Sequence, residues 1–144
     1  LNTEASMACD TTSQCMAVGS WVDQANDARP LAERSDSTGW HFVAAPTPGG
    51  ATSTLFAGVS CVAAGACEAV GSWSATPYDN PELTLAELWD GATWHVQPTP
   101  NPPGGRISAL NAVSCAPGAA VMCMAVGNSW NRTTTTAPSE TYRS

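Results

Sequence analysis

Cys67-Glu-Ala-Val-Gly-Ser-Trp73 decides the fold, because the same stretch occurs three times along the chain. Copy one carries Cys15-Met-Ala-Val-Gly-Ser-Trp21, and copy three carries Cys123-Met-Ala-Val-Gly127 followed by Ser129-Trp130. Working outward, a second cysteine precedes each stretch: Cys9, Cys61 and Cys115. Downstream lie Leu31-Ala-Glu33 and Leu85-Ala-Glu87, then Trp40-His41 and Trp94-His95. Glu33, Glu87 and Glu140 are 54 and 53 residues apart. Self-similarity at such a period marks a repeat architecture, in which one copy is one supersecondary unit that needs neighbours to bury its faces. The expectation is a single repeat domain over residues 1–144. Repeat 1 covers about 1–54, repeat 2 about 55–108 and an incomplete repeat 3 about 109–144.

The second copy reads strand by strand. Residues 55–61 form a short apolar run, and 67–73 a second one after a turn of small residues. A polar stretch over 74–82 is a loop, rich in the residues that punctuate secondary structure. Residues 83–89 alternate in the manner of a half-buried strand. Asp90-Gly91 is a tight-turn signal, and 93–97 makes the fourth strand. Proline-glycine segments follow at 46–50 and 98–105; prolines suit the exit from a sheet edge, since they cannot donate to a ladder. No helical period is present, so the class is all-β.

Six cysteines allow fifteen pairings, but the repeat favours the same local pairing three times: Cys9–Cys15, Cys61–Cys67 and Cys115–Cys123. A zinc site is the rival. The gaps within the pairs exceed the two to four residues of zinc motifs, and only two histidines exist. Disulfides imply an oxidising compartment, hence secretion. The net charge is −7, and lysine is missing altogether. Such a surface repels phosphate backbones and anionic membranes, so neither nucleic acid nor membrane insertion is expected. No cofactor and no metal is expected either.

The order of features (an apolar first strand, a second strand with Val70-Gly71, a third strand from Leu85 to a turn at Asp90, and Trp94 opening the fourth) resembles Kelch-like β-propeller repeats. The chain also resembles the cysteine-paired repeats of secreted actinobacterial proteins, through its Ser-Cys, Ala-Val-Gly, Leu-Ala-Glu and Trp-Asp-Gly segments. The resemblance implies antiparallel four-stranded β-propeller blades, about three per chain. It departs from Kelch in lacking a glycine doublet, since Ser72 follows Gly71. The alternative of similar length is a β-trefoil. Three blades with an incomplete third do not close a ring, as four to eight usually do. The expected partner is therefore the chain itself, a homo-oligomer such as a dimer completing a ring, or further blades of a longer chain.

The first functional reading is a secreted, non-catalytic binding or scaffold module. The second is a carbohydrate-binding lectin using Trp21, Trp73 and Trp130 at the ends of the second strands, with Tyr78 and Asp79 as additional contacts and a glycan as ligand. Against it, recurring aromatics commonly cover contacts between units. The third is a glycoside hydrolase using Glu33, Glu87 or Glu140 as paired carboxylates. Against that, residues repeated by internal symmetry usually serve the repeat, for example by bonding a neighbouring backbone or Arg34. His41 and His95 are symmetric strand residues and read as surface or packing groups. Asn131 opens a formal glycosylation sequon. No nucleophile elbow, phosphate loop or dinucleotide fingerprint is present, so no residue is assigned a catalytic role.

Overall fold

Each cysteine pair closes a hairpin, and each hairpin starts one unit of antiparallel strands. In the computed structural model, every residue is described except 1, 11–12, 63–64, 76–81, 119–120, 131–134, 137–138 and 144. Unit 1 is a four-stranded meander: β1 (Asn2–Cys9), β2 (Cys15–Val22), β3 (Ala28–Asp36) and β4 (Gly39–Phe42). Unit 2 repeats it with β5 (Ser53–Cys61), β6 (Cys67–Ser74), β7 (Glu82–Trp89) and β8 (Trp94–Gln97). Unit 3 has β9 (Ile107–Ala116) and β10 (Met122–Trp130), with β11 (Thr135–Thr136) and β12 (Ser139–Arg143) both pairing β10. Among the described residues one parallel bridge, Glu82 to Ile107, joins units 2 and 3 into one eight-stranded sheet. No helix occurs among the described residues.

Cys9 faces Cys15, Cys61 faces Cys67 and Cys115 faces Cys123 in the strand register, and all three pairs are disulfides with Cα atoms 3.9–4.0 Å apart. Bonds of this kind persist in oxidising compartments. Each closes only a short loop, so removing one by Cys61→Ser with Cys67→Ser is expected to lower unfolding free energy by about 2 kcal/mol. Urea titration measures this; no loss would mean that the ladder alone holds the hairpin. Glu33, Glu87 and Glu140 likewise stand opposite the equivalent alanines Ala17, Ala69 and Ala125.

One regularity is new. In every unit the first strand carries one extra residue, at Ala5, Ala57 and Asn111, where the register shifts. Such a bulge bends the strand and pushes its backbone across towards its partner. The glycine of each Ala-Val-Gly segment sits opposite. A Cβ on Gly71 would lie 2.0 Å from the Leu55 carbonyl oxygen, and one on Gly127 would lie 1.9 Å from that of Ala109. The Val-Gly pair is therefore the imprint of a bulge on the neighbouring strand.

Units associate face to face. Strand β5 lies against β1, β2 and β3, and β9 lies in the same way against β5, β6 and β7. Successive first strands are tied together, the Val59 amide donating to Ser6 Oγ (3.3 Å) and the Cys115 amide to Ser60 Oγ (3.0 Å). Because side chains alternate along a strand, every unit has a front face, towards the unit before it, and a back face, towards the unit after it. Met16, Val18 and Ala32 on the back of unit 1 pack against Phe56, Ala69, Leu85 and Trp94 on the front of unit 2. Val70 and Ala86 on the back of unit 2 pack against Leu110 and Ala125 on the front of unit 3. The first interface holds an aromatic cluster, with Trp94 5.6 Å from Trp89 and 5.7 Å from Phe56, ring centre to ring centre. The Arg34 guanidinium reaches over Trp89 from unit 1, 5.9 Å from the ring centre.

Candidate functional site

The two outermost faces of the stack are open. Equivalent positions show what this means. On the back faces, Met16 is 2% exposed and Val70 0%, whereas Met124 and Val126 on unit 3 are 55% and 46% exposed. On the front faces, Trp94 is 4% exposed and its counterpart Trp40 on unit 1 is 49%. Of the ten large apolar side chains exposed among the described residues, eight lie on these two faces. Met7, Trp21, Trp40 and Phe42 are on the front of unit 1; Met122, Met124, Val126 and Trp130 are on the back of unit 3. Scattered single apolar residues are ordinary on a surface; contiguous patches mark interaction sites.

Two grooves indent the open front of unit 1. One of about 690 Å³ runs between Trp21, Arg29, Leu31 and Phe42. The other, about 510 Å³, lies over Met7, Ala17, Glu33 and Trp40. Unit 2 has the counterpart of the first groove, between Trp73, Leu85 and Val96, but Pro48 from the connection ahead of unit 2 lines it too, and it measures only about 200 Å³.

The sequence-predicted tryptophans do not converge. Trp21 and Trp73 occupy equivalent front-face positions, exposed on unit 1 and half-buried against the core on unit 2. Trp130 stands on the opposite face. Gly127 is followed by two residues before its tryptophan, against one after Gly71, and a one-residue slip turns a strand side chain to the other side. Ser129 takes the Trp73 position instead and is buried with its hydroxyl 2.9 Å from that of Ser108. Tyr78, Asp79 and Asn131 lie outside the described residues.

The loops and connections around the units are largely self-clamped. Asp23 Oδ1 accepts from the amides of Ala25 and Asp27, while its Oδ2 bonds Arg29 at 2.8 Å. The Asp27 amide and then the Arg29 side chain hold the Asp23 carboxyl below its usual range. The connection after unit 2 is tied back to buried Thr84, whose amide donates to Asn101 Oδ1 and whose carbonyl accepts from Thr99.

Both histidines stand in fourth strands, His41 in β4 and His95 in β8, and their rings reach back to the preceding turn. His41 Nε2 lies 2.7 Å from Thr38 Oγ1 and 3.2 Å from Asp36 Oδ1, and His95 Nε2 lies 3.0 Å from Thr93 Oγ1 and 2.8 Å from Asp90 Oδ2. A hydroxyl–imidazole–carboxylate relay needs the two partners on different ring nitrogens. Here both meet Nε2, and the groups are exposed. The aspartates cap their turns: Asp36 accepts from Thr38, hydroxyl and amide, which lowers its carboxyl to about 2, and Asp90 accepts from the amides of Thr93 and Ala92, which with His95 also lowers it.

Among the described residues, two carboxylates are buried inside the stack. Glu87, on the front of unit 2, is fully buried, and neither of its oxygens has a hydrogen-bond partner. The expected bond to a neighbouring backbone or to Arg34 is thus not made; Arg34 lies over Trp89 instead. Glu68 occupies the back-face position of Met16 and Met124 and is equally buried, with Oε1 unpartnered. Burial pushes Glu68 up to about 7, and burial together with the nearby Glu68 charge pushes Glu87 up to about 8. Glu33, with no unit in front of it, is only half-buried and lines the smaller open groove. Among the described residues, no group of three or more His, Cys, Asp or Glu is placed to hold a metal ion.

Compared with known proteins, the chain matches no protein family, no curated protein and no solved structure.

Proposed function

We propose that the chain is a run of disulfide-stapled β-propeller blades acting as a secreted, non-catalytic binding or scaffold module, completed by self-association or by further blades of a longer chain. The observation that carries this reading is the repeated interface. Up-and-down units stack through equivalent back and front faces twice in succession, with their first strands adjacent. In a β-trefoil the three units would instead share one hydrogen-bonded barrel. Here, among the described residues, the strands of units 1 and 2 are in separate sheets, and units 2 and 3 share one bridge. Catalysis finds no support in the carboxylates, since Glu87 is sealed between units while Glu33 stands on an open face.

Stacked units tolerate loss of a terminal member better than a closed barrel does. A chain ending at Gly105 is therefore expected to keep disulfides 9–15 and 61–67, to unfold cooperatively, and to retain the near-ultraviolet circular dichroism of the Phe56–Trp89–Trp94 cluster. Collapse of that signal in the shortened chain would favour the trefoil. The lectin reading retains one specific observation, the Trp21–Phe42 groove. Glycan-array binding that disappears in Trp21→Ala with the fold intact would support it, and an array without signal would end it.

A further inference from the structure

We propose that a second copy of this chain docks the back of its unit 3 onto the front of unit 1, reproducing between chains the contact made within the chain by units 1 and 2. This rests on the stacked-blade reading and adds to it the partner, the two surfaces and their polarity.

The argument is one of matching halves. The internal interface sets Met16 and Val18 against Ala69, Leu85 and Trp94. The open back of unit 3 presents Met124 and Val126 at the positions of Met16 and Val18. On the open front of unit 1, exposed Trp40 stands at the position of Trp94, and buried Ala17 and Leu31, at the positions of Ala69 and Leu85, line the floors of its two grooves. Residue types coincide at these five positions, while Glu4 and Ser35 stand on unit 1 at the register positions of Phe56 and Trp89. The chain thus carries on its two open faces the Met–Val row and the tryptophan-lined surface that meet in the contact between units 1 and 2. The new contact continues the established stacking in the same direction.

Polarity follows as well. The two faces differ in shape and composition, one a row of Met and Val and the other a grooved surface with Trp21, Trp40 and Phe42. A contact between them is heterologous, and heterologous contacts either close into rings or run on as filaments. Two copies bring six units together, within the four to eight blades of closed propellers. A back-to-back pairing would oppose two copies of the Met–Val row and leave the grooves unfilled.

Sedimentation of the intact chain should show a species of about twice 14.8 kDa. Val126→Asp disables the back face and Trp40→Asp the front face; both side chains are exposed, so the fold should survive, as circular dichroism and disulfide mapping would show. Each variant alone should be monomeric, its association weakened at least a hundredfold. Mixed one to one, they should recover a dimer, because each supplies the face that the other lacks. A wild type that stays monomeric at high concentration overturns the proposal, including one that instead binds a glycan at Trp21. A wild-type dimer whose variants fail to complement each other also overturns it, since that outcome indicates a symmetric contact. If the chain ending at Gly105 stays folded while the wild type is monomeric, the docking fails and the stacked units stand; if the shortened chain collapses, the stack itself fails.

Discussion

Replacing Gly71 by alanine is expected to destabilise the protein by roughly 3 kcal/mol or more, the upper range for overpacking. The added Cβ would meet the Leu55 carbonyl oxygen at 2.0 Å and Phe56 Cα at 2.9 Å. Both are backbone atoms of the adjacent strand, so no side-chain rotation relieves the overlap. The strands must part, or the bulge at Ala57 must be lost. Losing the bulge is worse than a local repair, because removing one residue from the register turns Phe56 and everything before it to the other face. Phe56 would then leave its contact with Trp94. Gly127→Ala should behave alike, with its Cβ 1.9 Å from the Ala109 carbonyl oxygen. Gly49, whose Cβ would meet nothing within 4 Å, is the control, and Gly49→Ala should change stability by less than about 0.5 kcal/mol. Urea unfolding of the three variants decides the matter. Losses under about 1 kcal/mol at both Gly71 and Gly127 would show that these glycines do not serve the bulge.

The bulge also shows where sequence reading stops. Cysteine pairs and alternating runs name the strands and their partners, because pairing across a hairpin is set by neighbours along the chain. A bulge is a relation between two strands. Its only trace in the sequence is a glycine kept at one interior strand position in every copy, where glycine otherwise weakens a strand. The turned Trp130 was legible in principle: Gly127-Asn-Ser-Trp130 has one residue more than Gly71-Ser-Trp73, and strand period two does the rest. Glu68 was legible in the same way, as a carboxylate where the other copies have Met16 and Met124. What no spacing could supply is which face of a unit meets its neighbour. That depends on how the sheets stack, and it separates buried Glu87 from half-exposed Glu33 although both occupy one position of the repeat.

Stability is expected to fall as pH rises from about 5 to about 8, opposite to the common trend for proteins whose carboxylates are paired. Glu68 and Glu87 carry folded-state values raised to about 7 and about 8, against 4.5 for the ordinary side chain. The first cause in both is burial, which penalises the charged form. Below pH 4.5 both groups are protonated whether the chain is folded or not, and their contribution to stability is fully present. Between 4.5 and the folded-state values, the unfolded chain releases protons that the folded chain retains, so stability declines by up to about 1.4 kcal/mol per pH unit for each group. Above about 8 both states are ionised and the decline ends. Asp36 and Asp90 act in the opposite sense, since their lowered carboxyls lose their contribution only in acid, as pH falls through the folded-state values. The maximum therefore lies in weakly acidic solution. Glu87→Gln removes the charge while keeping the shape. It should leave stability at pH 5 nearly unchanged, raise it at pH 8 by on the order of 2–4 kcal/mol, and flatten the pH profile. Urea titrations of wild type and variant at pH 5, 6.5 and 8 test this. Equal or greater wild-type stability at pH 8 would refute it, as would a variant that keeps the wild-type slope. A positive result has a consequence at the open front of unit 1. Docking a second copy there would cover Glu33, so Glu33→Gln should tighten that association while leaving the stability of the single chain unaltered.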